Sequence, residues 1–170
     1  MIKKIGLFVV AAFILSGCQA YSAFEIFKKD DLYERTLLQT KNKQIINSLE
    51  TKAKITVTYL NPLYPSTYKD GEYFFVGIYI PDDYDKKESA GLFNKDYKLL
   101  MRGAKEDIAP LSISEITKKE QSELYKKMPH TDNWSKYYVV SFPKQADAAN
   151  LTLLLKTLYG ETSLDFPKVW

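Results

Sequence analysis

The chain has 170 residues, 45% of them hydrophobic, which is the size and apolar content of one globular domain with its own core. Against 24 basic residues stand 21 acidic ones, and removal of a leader containing Lys3 and Lys4 would leave 22 against 21, a net charge of +1. So even a balance gives no electrostatic case for nucleic acid, which calls for Lys and Arg clustered on one face, and a single cysteine excludes any disulfide within the chain.

The chain opens with Lys3 and Lys4, continues with an apolar run over residues 5–15 and then places small residues at Ser16 and Gly17. This three-part arrangement is that of a secretory signal, and the apolar run is roughly half the length that a membrane-spanning helix needs. Leu15-Ser16-Gly17-Cys18 resembles the lipobox of bacterial lipoproteins. The resemblance implies a diacylglycerol on the Cys18 sulfur, cleavage just before that residue and acylation of the new amino group. Several acyl chains matter, because one alone holds a protein only marginally while two or more anchor it stably. Members of the family kept at the inner membrane commonly carry Asp after the cysteine. Gln19 therefore implies sorting to the outer membrane, with the protein on its periplasmic face or at the cell surface. The covalent lipid on Cys18 is the membrane partner expected, and no other cofactor is.

Residues 18–38 read as a tether followed by a short helix, with Asp30 and Asp31 placed at the positive end of the turn Leu32-Tyr33-Glu34-Arg35. From residue 39 to 170 the pattern is that of strands. A strand is expected over residues 44–49. The clearest one follows, with Ala53, Ile55, Val57 and Tyr59 alternating with Lys52, Lys54, Thr56 and Thr58. Asn61-Pro62 and Pro65-Ser66 supply the turn that ends it. Over residues 72–80, Phe74, Val76, Ile78 and Ile80 occupy one side while Tyr73, Phe75 and Tyr79 occupy the other, so this strand should be covered twice. Pro81 stops it before a polar loop, residues 82–87, whose acids lack the Gly and Glu that a calcium loop needs at its sixth and twelfth positions.

Tyr97, Leu99 and Met101 mark a further strand, and a short one is expected over residues 108–113. Thr117-Lys118-Lys119-Glu120 fits a capping box and predicts a helix from there to about residue 127. A second two-faced strand runs over residues 134–142, carrying Tyr137 on one side and Tyr138, Val140 and Phe142 on the other. Strands at 151–155 and 162–166 complete the set. About seven short strands with one or two brief helices, and no long-helix rhythm between them, predict an all-β fold; an immunoglobulin-like antiparallel β-sandwich is the expected form. With no disulfide, its stability must come from a core to which 13 Tyr, 9 Phe and 2 Trp contribute. Thr58-Tyr59-Leu60-Asn61-Pro62 and Gly77-Ile78-Tyr79-Ile80-Pro81 are similar to segments of uncharacterised envelope lipoproteins of Gram-negative bacteria, which implies a location but no activity.

His130 is the one histidine and stands in a polar turn; the spacing shows none of the oriented partners a catalytic base needs, and with Cys18 taken by lipid an N/S tetrahedral zinc site cannot be assembled from this chain alone. Nucleophile-elbow and phosphate-loop motifs are absent from the sequence. Tyr73, Phe75, Tyr79 and Tyr137 read either as an exposed aromatic binding face or as a second core layer beneath a loop or helix. Trp134 and Trp170 share that ambiguity. The expected function is a non-enzymatic, lipid-anchored binding or scaffold module of the cell envelope with an envelope protein as partner. A hydrolase of envelope glycan or peptide, using acids such as Glu72, and a carrier of an apolar ligand are the competing readings.

Overall fold

The computed structural model describes residues 31–83 and 90–168. Helix α1 (Asp31–Leu38) precedes eight strands: β1 (Thr40–Asn47), β2 (Glu50–Tyr59), β3 (Glu72–Tyr79), β4 (Tyr97–Met101), β5 (Ser112–Glu115), β6 (Lys136–Phe142), β7 (Asn150–Thr157) and β8 (Gly160–Pro167). A second short helix, α2 (Glu123–Lys127), lies between β5 and β6. All strand pairs are antiparallel, in one five-stranded sheet of order β1-β2-β3-β6-β5 and one three-stranded sheet of order β4-β7-β8. Over the described residues the protein is thus an all-β sandwich with two short α-helices. Leaving aside β1, which extends one edge, the order β2-β3-β6-β5 over β4-β7-β8 corresponds to the A-B-E-D and C-F-G order of a constant-type immunoglobulin sandwich.

Alternation decides which residues meet between the sheets. Ala53, Ile55, Val57 and Tyr59 of β2 join Phe74, Val76 and Ile78 of β3 and Tyr138, Val140 and Phe142 of β6, and together they face Leu99, Leu153, Leu164 and Phe166 of the smaller sheet. Phe166 bridges the layers, its ring centroid 5.4 Å from that of Phe74 and 6.3 Å from that of Tyr59. At one end of the sandwich, Glu72 at the start of β3 accepts a 2.6 Å hydrogen bond from the Tyr59 hydroxyl and a 2.9 Å one from the Gln145 N–H. It also pairs with Lys168, just past β8, at 2.7 Å.

The second face of β3 and β6 is covered as well. Leu60, Phe75, Met128 and Tyr137 form a separate small core, packed by Tyr64 and Tyr68 from the connection after β2, by Tyr73 of β3 itself and by Leu124 and Tyr125 of α2. Gly77 makes part of this possible. It pairs with Tyr137 across the β3–β6 ladder, and a Cβ at Gly77 would lie 2.7 Å from the Tyr137 ring, so only glycine lets the ring settle there.

Several local expectations need correction. The first strand begins at Thr40 and ends at Asn47, because Ser48 and Leu49 form a two-residue turn with φ of 52° and 67°. Ile108 makes only an isolated bridge with Met101, the strand proper being Ser112–Glu115. The helix near residue 120 is capped by Ser122, whose hydroxyl accepts from the Tyr125 N–H at 3.2 Å, and not by Thr117; a 3-10 turn, Lys119–Gln121, comes before it. Asp83 is buried, not solvated, and accepts from the Gly91 N–H and the Asn94 amide.

Leu49 is 100% exposed and so gains nothing from packing while holding a left-handed backbone. That backbone costs a side-chain-bearing residue about 1–2 kcal/mol, and glycine's extra freedom in the unfolded chain offsets about 0.5–1 kcal/mol of the relief. Leu49→Gly should therefore stabilise the fold by about 0.5–1 kcal/mol, read as a thermal midpoint a few degrees higher. An unchanged or lower midpoint would mean that the turn carries no such strain.

Candidate functional site

The outer face of the five-stranded sheet has a covered half and an open half. The small core occupies the first. On the second, Gln44 of β1 pairs across the ladder with Lys54 of β2, and Lys54 pairs with Tyr79 of β3, so the three stand in a row across three strands. With Thr51, Asp132 and Trp134 they line a cleft of about 460 Å³. Trp134 and Tyr79 also wall a neighbouring cleft of about 320 Å³, which includes Glu115, Lys119 and Lys136. The ammonium of Lys136 lies 3.5 Å from the Glu115 carboxylate there.

Trp134 is 66% exposed, yet the loop that carries it is tightly held. One Asp132 carboxylate oxygen accepts from the Trp134 N–H at 3.0 Å and from the Ser135 N–H at 2.6 Å, and the other accepts from the Ser135 hydroxyl at 3.1 Å. From the other side, the Lys119 ammonium donates to the Ser135 carbonyl at 2.8 Å and reaches the Asp132 and Asn133 carbonyls at 3.4 and 3.5 Å. The same ammonium lies 4.9 Å from the centre of the Tyr137 ring. The Tyr137 hydroxyl oxygen in turn accepts the Asp132 N–H at 2.6 Å. Burial lowers the Lys119 pKa, and burial also pushes the Tyr137 hydroxyl up to about 12, so the hydroxyl stays protonated at neutral pH. A carboxylate, an ammonium and a phenol thus fix the loop from three directions and leave the indole outside.

Burial alone would raise the Asp132 pKa, but the hydrogen bonds from Ser135 and Trp134 outweigh it and hold the carboxyl below the usual carboxylate range. A depressed folded value means that the stabilising contribution is complete above the unfolded value, about 3.9, and is lost as pH falls through the lowered folded one. The Trp134 indole N–H resonance should accordingly stay fixed from neutral pH down to about 4 and shift only in stronger acid. A shift centred near pH 6 would show that another group controls the loop.

The four tyrosine and phenylalanine positions that read either as an exposed face or as a second core layer divide between the two. Phe75 and Tyr137 are buried in the small core, stacked with ring centroids 5.4 Å apart, and Tyr73 packs at its margin against Tyr68 at 4.9 Å. Tyr79, half-buried, is the one that reaches the open clefts. His130 is exposed with φ of 58° and is not among the residues lining either cleft. Glu72 stands with Tyr59, Lys144 and Lys168 along a cleft of about 220 Å³ at the end where it clasps the sheets. Leu15, Ser16, Gly17, Cys18 and Trp170 lie outside the described residues. Among the described residues, no three His, Cys, Asp or Glu side chains gather to hold a metal ion, and no helix is long and apolar enough to cross a membrane.

Gln44, Lys54, Lys119 and Asp132 were not singled out by sequence. One signal was available: Asp132-Asn133-Trp134-Ser135 has the form of an aspartate turn, in which the carboxylate accepts N–H groups two and three residues on. In comparisons with protein-family models, curated proteins and solved structures, nothing matches this chain.

Proposed function

We propose that the chain is a lipid-anchored binding module of the bacterial cell envelope, tethered through Cys18 and engaging its partner through Trp134 and the clefts on either side of it. The observation that carries the site is the exposed indole on a loop immobilised by Asp132, Lys119 and Tyr137. An aromatic anchor whose loop is already ordered loses little conformational entropy on binding, and Trp is enriched among the residues that dominate binding energy. The anchor rests on Leu15-Ser16-Gly17-Cys18 and the leader before it. Gln19, in the place where Asp commonly retains such proteins at the inner membrane, implies outer-membrane placement.

Two measurements test the two halves separately. Growth with an alkyne fatty acid should label the protein and leave it in the membrane fraction, and Cys18→Ser should abolish both. Unlabelled protein that retains its first 17 residues would overturn the anchor. Trp134→Ala should keep the fold and the membrane location but lose partners recovered by gentle detergent extraction, whereas an unchanged set of partners would remove Trp134 from the contact.

A further inference from the structure

Resting on the reading of Trp134 as a contact residue, we infer that the cleft it shares with Gln44, Lys54 and Tyr79 takes a neutral glycan chain. Charge decides first against polyions. The cleft holds one ammonium, Lys54, and one carboxylate, Asp132, whose oxygens already accept from the backbone and hydroxyl of its own loop. Neither sign accumulates, so nothing favours a polyanion or a polycation. The floor decides next. Gln44 offers an amide with donors and an acceptor, Thr51 a hydroxyl that does both, and Lys54 a donor. A sugar hydroxyl, itself donor and acceptor, can be met by any of them.

Geometry agrees. The row Gln44, Lys54, Tyr79 crosses three strands, so its ends are roughly 10 Å apart at ordinary strand spacing, a length suited to a short run of linked sugar rings. Trp134 and Tyr79 then supply flat apolar surface for the C–H face of a pyranose while the polar groups take its rim. An extended peptide would be expected to use a sheet edge through main-chain hydrogen bonds; this cleft lies on the face of the sheet, where the strand backbones are already paired with one another.

The test is calorimetric titration of the full-length protein, in a detergent without a sugar headgroup, with cellotetraose, chitotetraose and maltotetraose, and with a sulfated oligosaccharide as the charged control. At least one neutral tetrasaccharide should bind saturably and more tightly than the sulfated one. Trp134→Ala should weaken that binding about tenfold or more, Gln44→Ala should weaken it by a smaller factor, and Trp134→Phe should retain part of it. Thermal midpoints close to wild type would confirm that the variants fold. Failure of all three neutral sugars overturns the glycan, as does binding indifferent to Trp134→Ala. If the sugars fail but a protein partner is lost with Trp134→Ala, the ligand is a protein and the contact residue stands. If Trp134→Ala alters neither, both inferences fall.

Discussion

Glu72→Ala is expected to lower the free energy of unfolding by about 3–5 kcal/mol. Glu72 is 1% exposed and Lys168 only 9%, so their 2.7 Å pair is desolvated on both sides. Removing the carboxylate strips the ammonium of this ionic partner in a place where water cannot substitute freely, and it leaves the Gln145 N–H and the Tyr59 hydroxyl short of an acceptor. Burial first, and the adjacent carboxylate second, push the Tyr59 pKa well above the usual phenol range, so the hydroxyl remains a donor that needs this acceptor. Four segments converge here: the end of β2, the start of β3, the turn after β6 and the residue after β8. Glu72→Gln, which keeps an acceptor but not the charge, should cost less than the alanine. Urea unfolding of the pair measures both, and equal losses for Gln and Ala would mean that the charge contributes nothing.

Phe74→Ala should cost a comparable 3–5 kcal/mol, by a different mechanism. Its ring is 0% exposed and packs on Tyr59 at 5.1 Å, on Phe142 edge-on at 5.9 Å and on Phe166 of the opposite sheet at 5.4 Å. Truncation opens a cavity that three rigid rings, two on the strands flanking β3 and one on the opposite sheet, cannot close by small shifts, so the cavity term adds to the lost transfer energy. Leu158→Ala is the matching control. That side chain is 74% exposed in the β7–β8 turn, and its loss should change stability by less than about 0.5 kcal/mol. If the two variants unfolded at the same urea concentration, Phe74 would not join the layers as described.

The parts of this fold that could be read in advance are those where a single strand reports its own environment. Ala53, Ile55 and Val57 alternate with polar residues because β2 has one face in the core, and Phe74 and Phe75 sit on opposite sides of β3 because both sides are covered. The beginning of β1 was missed for the complementary reason: Thr40-Lys41-Asn42-Lys43 shows no apolar alternation, since that end of the strand buries little. The order of strands within the sheets depends on pairings between distant segments, and no local pattern encodes it. The Trp134 loop fails in the same way. Its aspartate turn is local, but Lys119 arrives from before α2 and Tyr137 from inside β6, so the immobility of the indole is a tertiary property. Cap choice near α2 turned on one hydroxyl, Ser122 in place of Thr117, which spacing alone does not separate.

The outer rim of β1 bears on how such molecules behave when crowded. Lys41 and Lys43 pair across the ladder with Val57 and Ile55, so they stand on the core-facing side of the sheet, yet both are exposed at its border. Opposite Ile45 and Ile46 the register skips Lys52, an extra residue in β2 that disturbs the ladder holding this border strand. Charges aimed inward and a bulge are two recognised obstacles to strand-by-strand polymerisation. A neighbour trying to add itself to this rim would have to bury two ammonium groups and match an irregular ladder. Copies crowded together should thus jostle without fusing into extended sheets.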